Sequence, residues 1–239
     1  MNEFNNTVRV RSVSMAEANS RFMSRVYGWM TGGLLLTAVV ASYIGQSSEL
    51  LEMLMMNRGL FIGLIIAQIA LVVGLSAALT RLSPAVATAL YLLYAVMTGV
   101  TLSALFMVYT SESIANIFIV TAMGFAGLSL FGISTKRDLG PVGAFCGMAL
   151  FGLVGFAIVS MFFTSLNTGA MQTVYSIGGL LVFSGLTAYD TQKLKNLNAG
   201  GLEGTDDHQR LAIHGALTLY LDFINLFINL LRLFGDRRN

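Results

Sequence analysis

Charge is what this sequence has least of. Only 11% of its 239 residues are Asp, Glu, Lys or Arg, where a soluble domain carries about 25%. With 55% hydrophobic residues and a mean hydropathy of +0.73, that scarcity argues against a soluble domain and for an integral membrane protein. No run of basic residues exists to hold nucleic acid. The single cysteine, Cys146, allows no intrachain disulfide, and no C-x-x-C or Cys/His spacing offers a metal site. No cofactor motif is present. An internal repeat is also missing, which removes support for an inverted-repeat transporter. Two prolines beside 25 glycines fit closely packed spanning helices, in which small residues let backbones approach.

What the chain does have is long apolar windows, at 26–45, 60–79, 85–108, 114–133, 142–163, 171–188 and 211–231. Each is long enough for a transmembrane helix of about 20 residues. The expectation is an all-α integral membrane protein of seven transmembrane helices. A cytoplasmic segment 1–25 would precede a transmembrane domain 26–235 and a short tail 236–239. Ser14-Met15-Ala16-Glu17 reads as a capping box, placing a helix start near Ser14. The polar lead is too long for a cleavable signal peptide. With the N-terminus inside, Arg9, Arg11, Arg21, Arg25, Arg81, Lys136, Arg137, Lys193, Lys195 and Arg210 fall on the inner face. Arg58, Arg232, Arg237 and Arg238 fall on the outer one, so ten basic residues oppose four and the bias favours N-in. The three at the C-terminal end leave a choice for the last span between crossing and returning, and its length favours crossing.

The last window sets the architecture. His214, Thr218, Asp222, Asn225, Asn229 and Arg232 project at about 0, 40, 80, 20, 60 and 0° on a helical wheel, a stripe roughly 80° wide. The rest of that helix is apolar. An ionised Asp at mid-bilayer costs at least about 2.5–3.5 kcal/mol, so the seam must face protein or water. The C-terminal helix is therefore expected to be central and surrounded by the other six.

Several other features allow more than one reading. Gly143-x-x-x-Gly147, with Gly152 and Gly155, is either an intrachain packing face, the favoured reading, or a dimer face. Tyr91, Tyr94, Thr98 and Thr101 either line a pathway or bond to neighbours. Gln68 is expected to be satisfied by an adjacent helix. Asp190, at the inner end of the sixth window, is either a functional carboxylate or an interfacial one that reaches solvent or pairs locally with Lys193. In the loop 196–209, Thr205 or Asp206 is expected to cap the last helix.

The segments Gly185-Leu-Thr-Ala-Tyr-Asp-Thr-Gln-Lys-Leu-Lys195 and Leu219-Tyr-Leu-Asp-Phe-Ile-Asn-Leu-Phe-Ile-Asn-Leu-Leu-Arg-Leu-Phe-Gly235 resemble the matching stretches of the Bax inhibitor-1 family. Thr98-Gly99-Val100-Thr101-Leu102 and the seven-span layout agree, so the resemblance covers essentially the whole chain. The short tail is similar to that of bacterial members, which implies the bacterial inner membrane. The resemblance implies a pH-sensitive calcium leak rather than an enzyme, with calcium ions and protons as its ligands. Its gate would be an aspartate pair at Asp190 and Asp222, latched by an arginine that matches Arg81 by position. Where some members carry a glutamate in the second span, this chain has Gln68. Two nearby carboxyls in a low-dielectric site would share a proton and titrate together. They would also bind calcium weakly, with His214, Thr218, Asn225, Asn229 and Gln68 as the polar lining.

Three alternatives remain. The first is an interaction protein that modulates a membrane-bound protease or other assembly, a role the resemblance to bacterial members implies. The second is an intramembrane aspartyl protease, for which Tyr189-Asp190 supplies one half of the motif but Leu219-Tyr220-Leu221-Asp222 lacks the Gly-x-Gly-Asp half. The third is a proton-coupled transporter using the same carboxylates.

Overall fold

A computed structural model describes residues 2–78, 82–163, 168–197 and 205–238, with side chains from Glu17 onward except that of Met161. Among the described residues the chain is helical throughout: α1 (Asn2–Gly45), α2 (Ser48–Met56), α3 (Arg58–Ala78), α4 (Pro84–Leu102), α5 (Leu105–Val108), α6 (Ser111–Ser134), α7 (Gly140–Phe162), α8 (Gly169–Asn196) and α9 (Asp206–Phe234). Seven stretches are long and apolar enough to cross a membrane: Glu17–Gly45, Arg58–Ala78, Pro84–Val108, Ser111–Ser134, Gly140–Ser160, Gly169–Asn196 and Asp206–Phe234. Each contains the centre of one of the seven apolar windows.

Helix boundaries follow local chemistry. Ser83 Oγ accepts from the Val86 N–H and Pro84 occupies the first turn of α4. Thr110 caps α6 through the Ser113 N–H. Thr205 caps α9, its hydroxyl accepting from the His208 N–H at 3.3 Å. Each cap satisfies a donor that the first helical turn leaves open. The start of α1 differs from the sequence reading. That helix already runs from Asn2, so Ser14 lies inside it rather than capping it. No glycine or proline interrupts residues 2–27, and nothing there ends the helix. The short α2 was not foreseen. Ser47 caps it, and Leu51 and Leu54 form its buried side.

Two compact units share the chain, and each is discontinuous. Unit 1 comprises Met1–Leu105 with Leu194–Tyr220, and unit 2 comprises Phe106–Lys193 with Leu221–Asn239. In unit 1, α1 packs on α4, α3 on α4, and α2 touches both α1 and α3. The contact of α1 with α4 is close because Gly99 lacks a side chain: a Cβ there would lie 2.8 Å from the Thr37 carbonyl oxygen. The first half of α9 completes this unit. Tyr220 stacks edge-on against Tyr91 and Tyr94 and its hydroxyl meets Thr37 Oγ1 at 2.7 Å, while Thr37 also bonds the Ala95 carbonyl. At the start of α9, His208 packs edge-on to Phe22 and contacts Arg25.

In unit 2, the second half of α9 is held to α6 by an aromatic cluster. Phe118 meets Phe223 and Phe227 at centroid distances of 5.1 and 5.8 Å, and Phe125 meets Phe223 at 5.6 Å. Such edge-to-face pairs contribute about 0.5–1.5 kcal/mol each beyond their burial. The residues after α9 are pinned to the α5–α6 connection. Tyr109 and Arg237 form an antiparallel bridge, and the Arg238 N–H donates to the Val108 carbonyl at 2.9 Å. The Asp236 N–H donates to Ser113 Oγ at 2.9 Å.

The polar pairs in the earlier spans are structural. Gln68 Nε2 donates to the Met97 carbonyl and to Thr101 Oγ1, joining α3 to α4 as expected. The Tyr91 hydroxyl donates to the Trp29 carbonyl, and Thr98 and Thr101 bond back to their own helix. That favours neighbour bonding over a pathway for this stripe. The glycines of α7 divide. A Cβ at Gly143 would strike the Tyr189 ring at 2.5 Å, whereas Gly147, Gly152 and Gly155 face open space. Gly143 thus serves intrachain packing.

Candidate functional site: the carboxylates of α8 and α9

α9 is the most buried of the seven spans, with 67% of its most apolar window inside the protein against 39% or less for the others. It is one unbroken helix of 29 residues, about 43 Å at 1.5 Å per residue. That length crosses the hydrocarbon core of about 30 Å without the break a returning segment would need. The expected seam is present on it. His214, Thr218 and Asn225 are half-buried, Asp222 and Asn229 are buried, and Arg232 is exposed at the far end.

The inner end of α8 is anchored residue by residue. Tyr189 lies over Gly143 of α7. Thr191 Oγ1 donates to Ser129 Oγ at 3.3 Å, and Gly132 of α6 brings its backbone against Ala188 and Thr191. Gln192 clamps the α6–α7 connection from both ends of its amide. Oε1 accepts from the Leu139 N–H at 2.9 Å and Nε2 donates to the Arg137 carbonyl at 2.8 Å. Leu139 precedes α7 and no side chain of its own caps that helix, so Gln192 supplies the missing acceptor. Asp190 lies between these fixed neighbours and cannot drift along the helix axis without breaking several contacts.

Asp190 on α8 and Asp222 on α9 both belong to unit 2. Lys193, three residues beyond Asp190 on α8, places its Nζ 5.8 Å from the Tyr189 ring centre. Asp222 is 4% exposed, and its Oδ2 has no hydrogen-bond partner among the described residues. A carboxylate so placed is costly as an isolated ion. The structure places the two aspartates that the sequence singled out on α8 and α9 of the same unit. Arg81, the third expected member, lies outside the described residues. Gln68 belongs to the α3–α4 pairing described above.

A model of the family described as inhibitor of apoptosis-promoting Bax1 matches residues 19–239. The chain belongs to the Bax inhibitor-1 family. Among relatives of this family, the inner membrane protein YbhL of Escherichia coli K12 is 51% identical over 218 residues, covering 91% of this chain and 92% of that protein. An uncharacterized protein of Borreliella burgdorferi is 40% identical over 220 residues, covering 92% and 94%. An uncharacterized membrane protein of Streptococcus pyogenes is 33% identical over 219 residues, covering 90% and 93%. Seven spanning helices and this kinship make the chain a Bax inhibitor-1 family protein of the bacterial inner membrane.

Sequence reasoning overlooked Gly179. A Cβ at that position would lie 2.6 Å from Asn229 Oδ1, so the bare backbone of α8 makes room for a seam residue of α9. The signal was the Gly178-Gly179 pair in the middle of a spanning helix, where small residues mark close approach.

Proposed function

We propose that this protein is a pH-sensitive calcium leak gated by Asp190 and Asp222. The observation that carries the reading is the buried, incompletely bonded carboxyl of Asp222, in the same compact unit as Asp190. Ionisable groups inside a membrane protein mark ion or proton pathways. Two carboxyls in such a site cannot both ionise cheaply, so the pair exchanges protons as a unit. Calcium takes about six to eight oxygen ligands; two aspartates completed by water bind it weakly, and weak binding is what release requires. The family pattern gives Arg81 the part of a latch on Asp190. With one proton on the pair, a negative charge remains to hold an arginine that stays charged. Acidification neutralises the pair and loosens the latch.

The test is calcium flux into proteoliposomes of the purified protein, measured from acidic to alkaline pH. Asp190→Asn is expected to flatten the pH dependence, and Arg81→Ala to raise flux while leaving the carboxyls titrating. Identical curve shapes for wild type and Asp190→Asn would make Asp190 structural. Wild-type vesicles that admit no calcium at any pH would refute the channel and favour an interaction protein acting on another membrane assembly.

A further inference from the structure

Three of the chain's 14 basic residues, Arg232, Arg237 and Arg238, crowd into its last eight positions. Their depth follows from the length of α9. A helix of about 43 Å centred on a hydrocarbon core of about 30 Å leaves about 6 Å, or four residues, beyond the core at either end. Arg232 falls within those four at the C-terminal end. It therefore lies at the level of the lipid headgroups.

The three arginines are not equivalent. Arg238 donates from Nη1 to the Phe106 carbonyl at 3.2 Å, and Arg237 is bridged through its backbone to Tyr109. Arg232 is exposed, yet its guanidinium is held 5.8 Å from the ring centre of Tyr175 on α8. That ring in turn stacks on Phe156 of α7, with centroids 5.5 Å apart and planes inclined by 30°. One cation and two rings, from three helices of unit 2, thus support one another. A ring face attracts a guanidinium but takes up none of its N–H groups. Among the described residues no carbonyl or hydroxyl accepts from Arg232 either, and the ion pairs there are those of Arg210. Glu112 and Asp236, the carboxylates at this end of unit 2, are exposed and pair with none of the three arginines.

We propose that Arg232, steadied on Tyr175, binds the phosphate of an anionic phospholipid at the C-terminal end of α9. The planar fork of a guanidinium engages two phosphate oxygens at once, and the phosphodiester is the anion that a membrane presents at this depth. Three arginines against two carboxylates favour a headgroup of net negative charge over one whose amine offsets its phosphate. The acyl chains then lie along α8, where Ile177 and Leu181 stand exposed deeper in the same helix. Balancing the helix dipole, the ordinary role of a cation in a last turn, requires neither the ring nor a lipid. Nothing in this binding requires conduction.

The test is native mass spectrometry of the detergent-purified full chain, titrated with phosphatidylglycerol, phosphatidylethanolamine or inorganic phosphate. The wild type is expected to retain phosphatidylglycerol in preference to phosphatidylethanolamine. Arg232→Gln should weaken that retention on the order of tenfold, the loss of one charge-assisted contact. Arg58→Gln removes the same charge at the start of α3 and should leave retention unchanged. Tyr175→Leu keeps every charge and should also weaken retention, because the arginine loses its support. Circular dichroism checks that each variant is folded. Equal losses in the two arginine variants would mean that net charge alone attracts the lipid, and would overturn the site. Unchanged retention in Tyr175→Leu would overturn the part given to the ring. Equal retention of the two lipids, or displacement of lipid by inorganic phosphate, would overturn the choice of an anionic phospholipid.

Discussion

Gly132 offers a demanding test of how the site is held. It lies on α6, where a methyl group would meet the Ala188 carbonyl oxygen well inside contact distance, with the Ala188 carbonyl carbon and Thr191 Cβ each at 3.2 Å. The obstructing atoms belong to the backbone of α8 two residues before Asp190, and no rotamer change moves a backbone. Gly132→Ala must therefore push α6 and α8 apart. Overpacking of this kind costs about 1–3 kcal/mol, sometimes more, and the backbone contact puts this case at the upper end. Roughly 3 kcal/mol lowers the unfolding midpoint of a chain this size by about 6–12 °C. The control is Gly147→Ala on α7, where nothing lies within 4 Å of the added carbon and the midpoint should stay within about 2 °C. Both variants are compared with wild type by thermal unfolding of the detergent-purified protein. The Gly132 variant should also lose the Thr191–Ser129 bond and show an altered pH profile of flux. Equal midpoints for the two alanine variants would mean that the close approach of α6 to α8 is not what fixes Asp190.

Three further outcomes are expected. Tyr220→Phe removes one buried hydrogen bond to Thr37 and should cost about 0.5–1.5 kcal/mol; a double-mutant cycle with Thr37→Val should show coupling, and strict additivity would count against the bond. Ser113→Ala strips the acceptor from the Asp236 N–H and should cost about 1 kcal/mol, read as faster proteolysis of the residues after α9, whereas an unchanged cleavage rate would deny the clip. A reporter fused after Lys195 should read cytoplasmic and one after Asn239 external, since α9 is long enough to cross. Two cytoplasmic readings would mean that it does not.

The sequence disclosed the spans and the polar seam for one physical reason. The cost of polar atoms in lipid forces a pattern visible at single-residue resolution, so windows of hydropathy and a helical wheel on 211–231 find both. Asp222 emerged because a carboxylate in an apolar run is conspicuous, whereas Asp190, just past its window, was paired with it through the resemblance to the Bax inhibitor-1 family. Gln68 as a cross-helix donor was legible on the same ground. What stayed hidden depends on contacts between elements distant in sequence. Gln192 looked like an ordinary polar residue at a helix end, yet it caps α7 through Leu139, 53 positions away. Gly179 matters only because Asn229 lies across from it. The start of α1 was misread because a capping box signals where a helix can begin, not where a longer one must be interrupted.

The division of α9 between two discontinuous units bears on the order in which the molecule can be assembled. Unit 1 needs residues 206–220 and unit 2 needs residues from 221 onward, so neither is complete while only the first six spans have been made. Until then the first six spans can form only the contacts that do not involve α9, such as those of α1 with α4 and of Gln192 with the α6–α7 connection. The long sequence separations, such as that of Thr37 from Tyr220 at 183 positions, make closure slow, as non-local contacts do in any chain. The span that arrives last is also the one carrying a carboxyl and two asparagines, the most costly to leave against lipid. Its hosts are then already in place. Completion of each unit therefore waits on α9, whose first half belongs to unit 1 and whose second half belongs to unit 2.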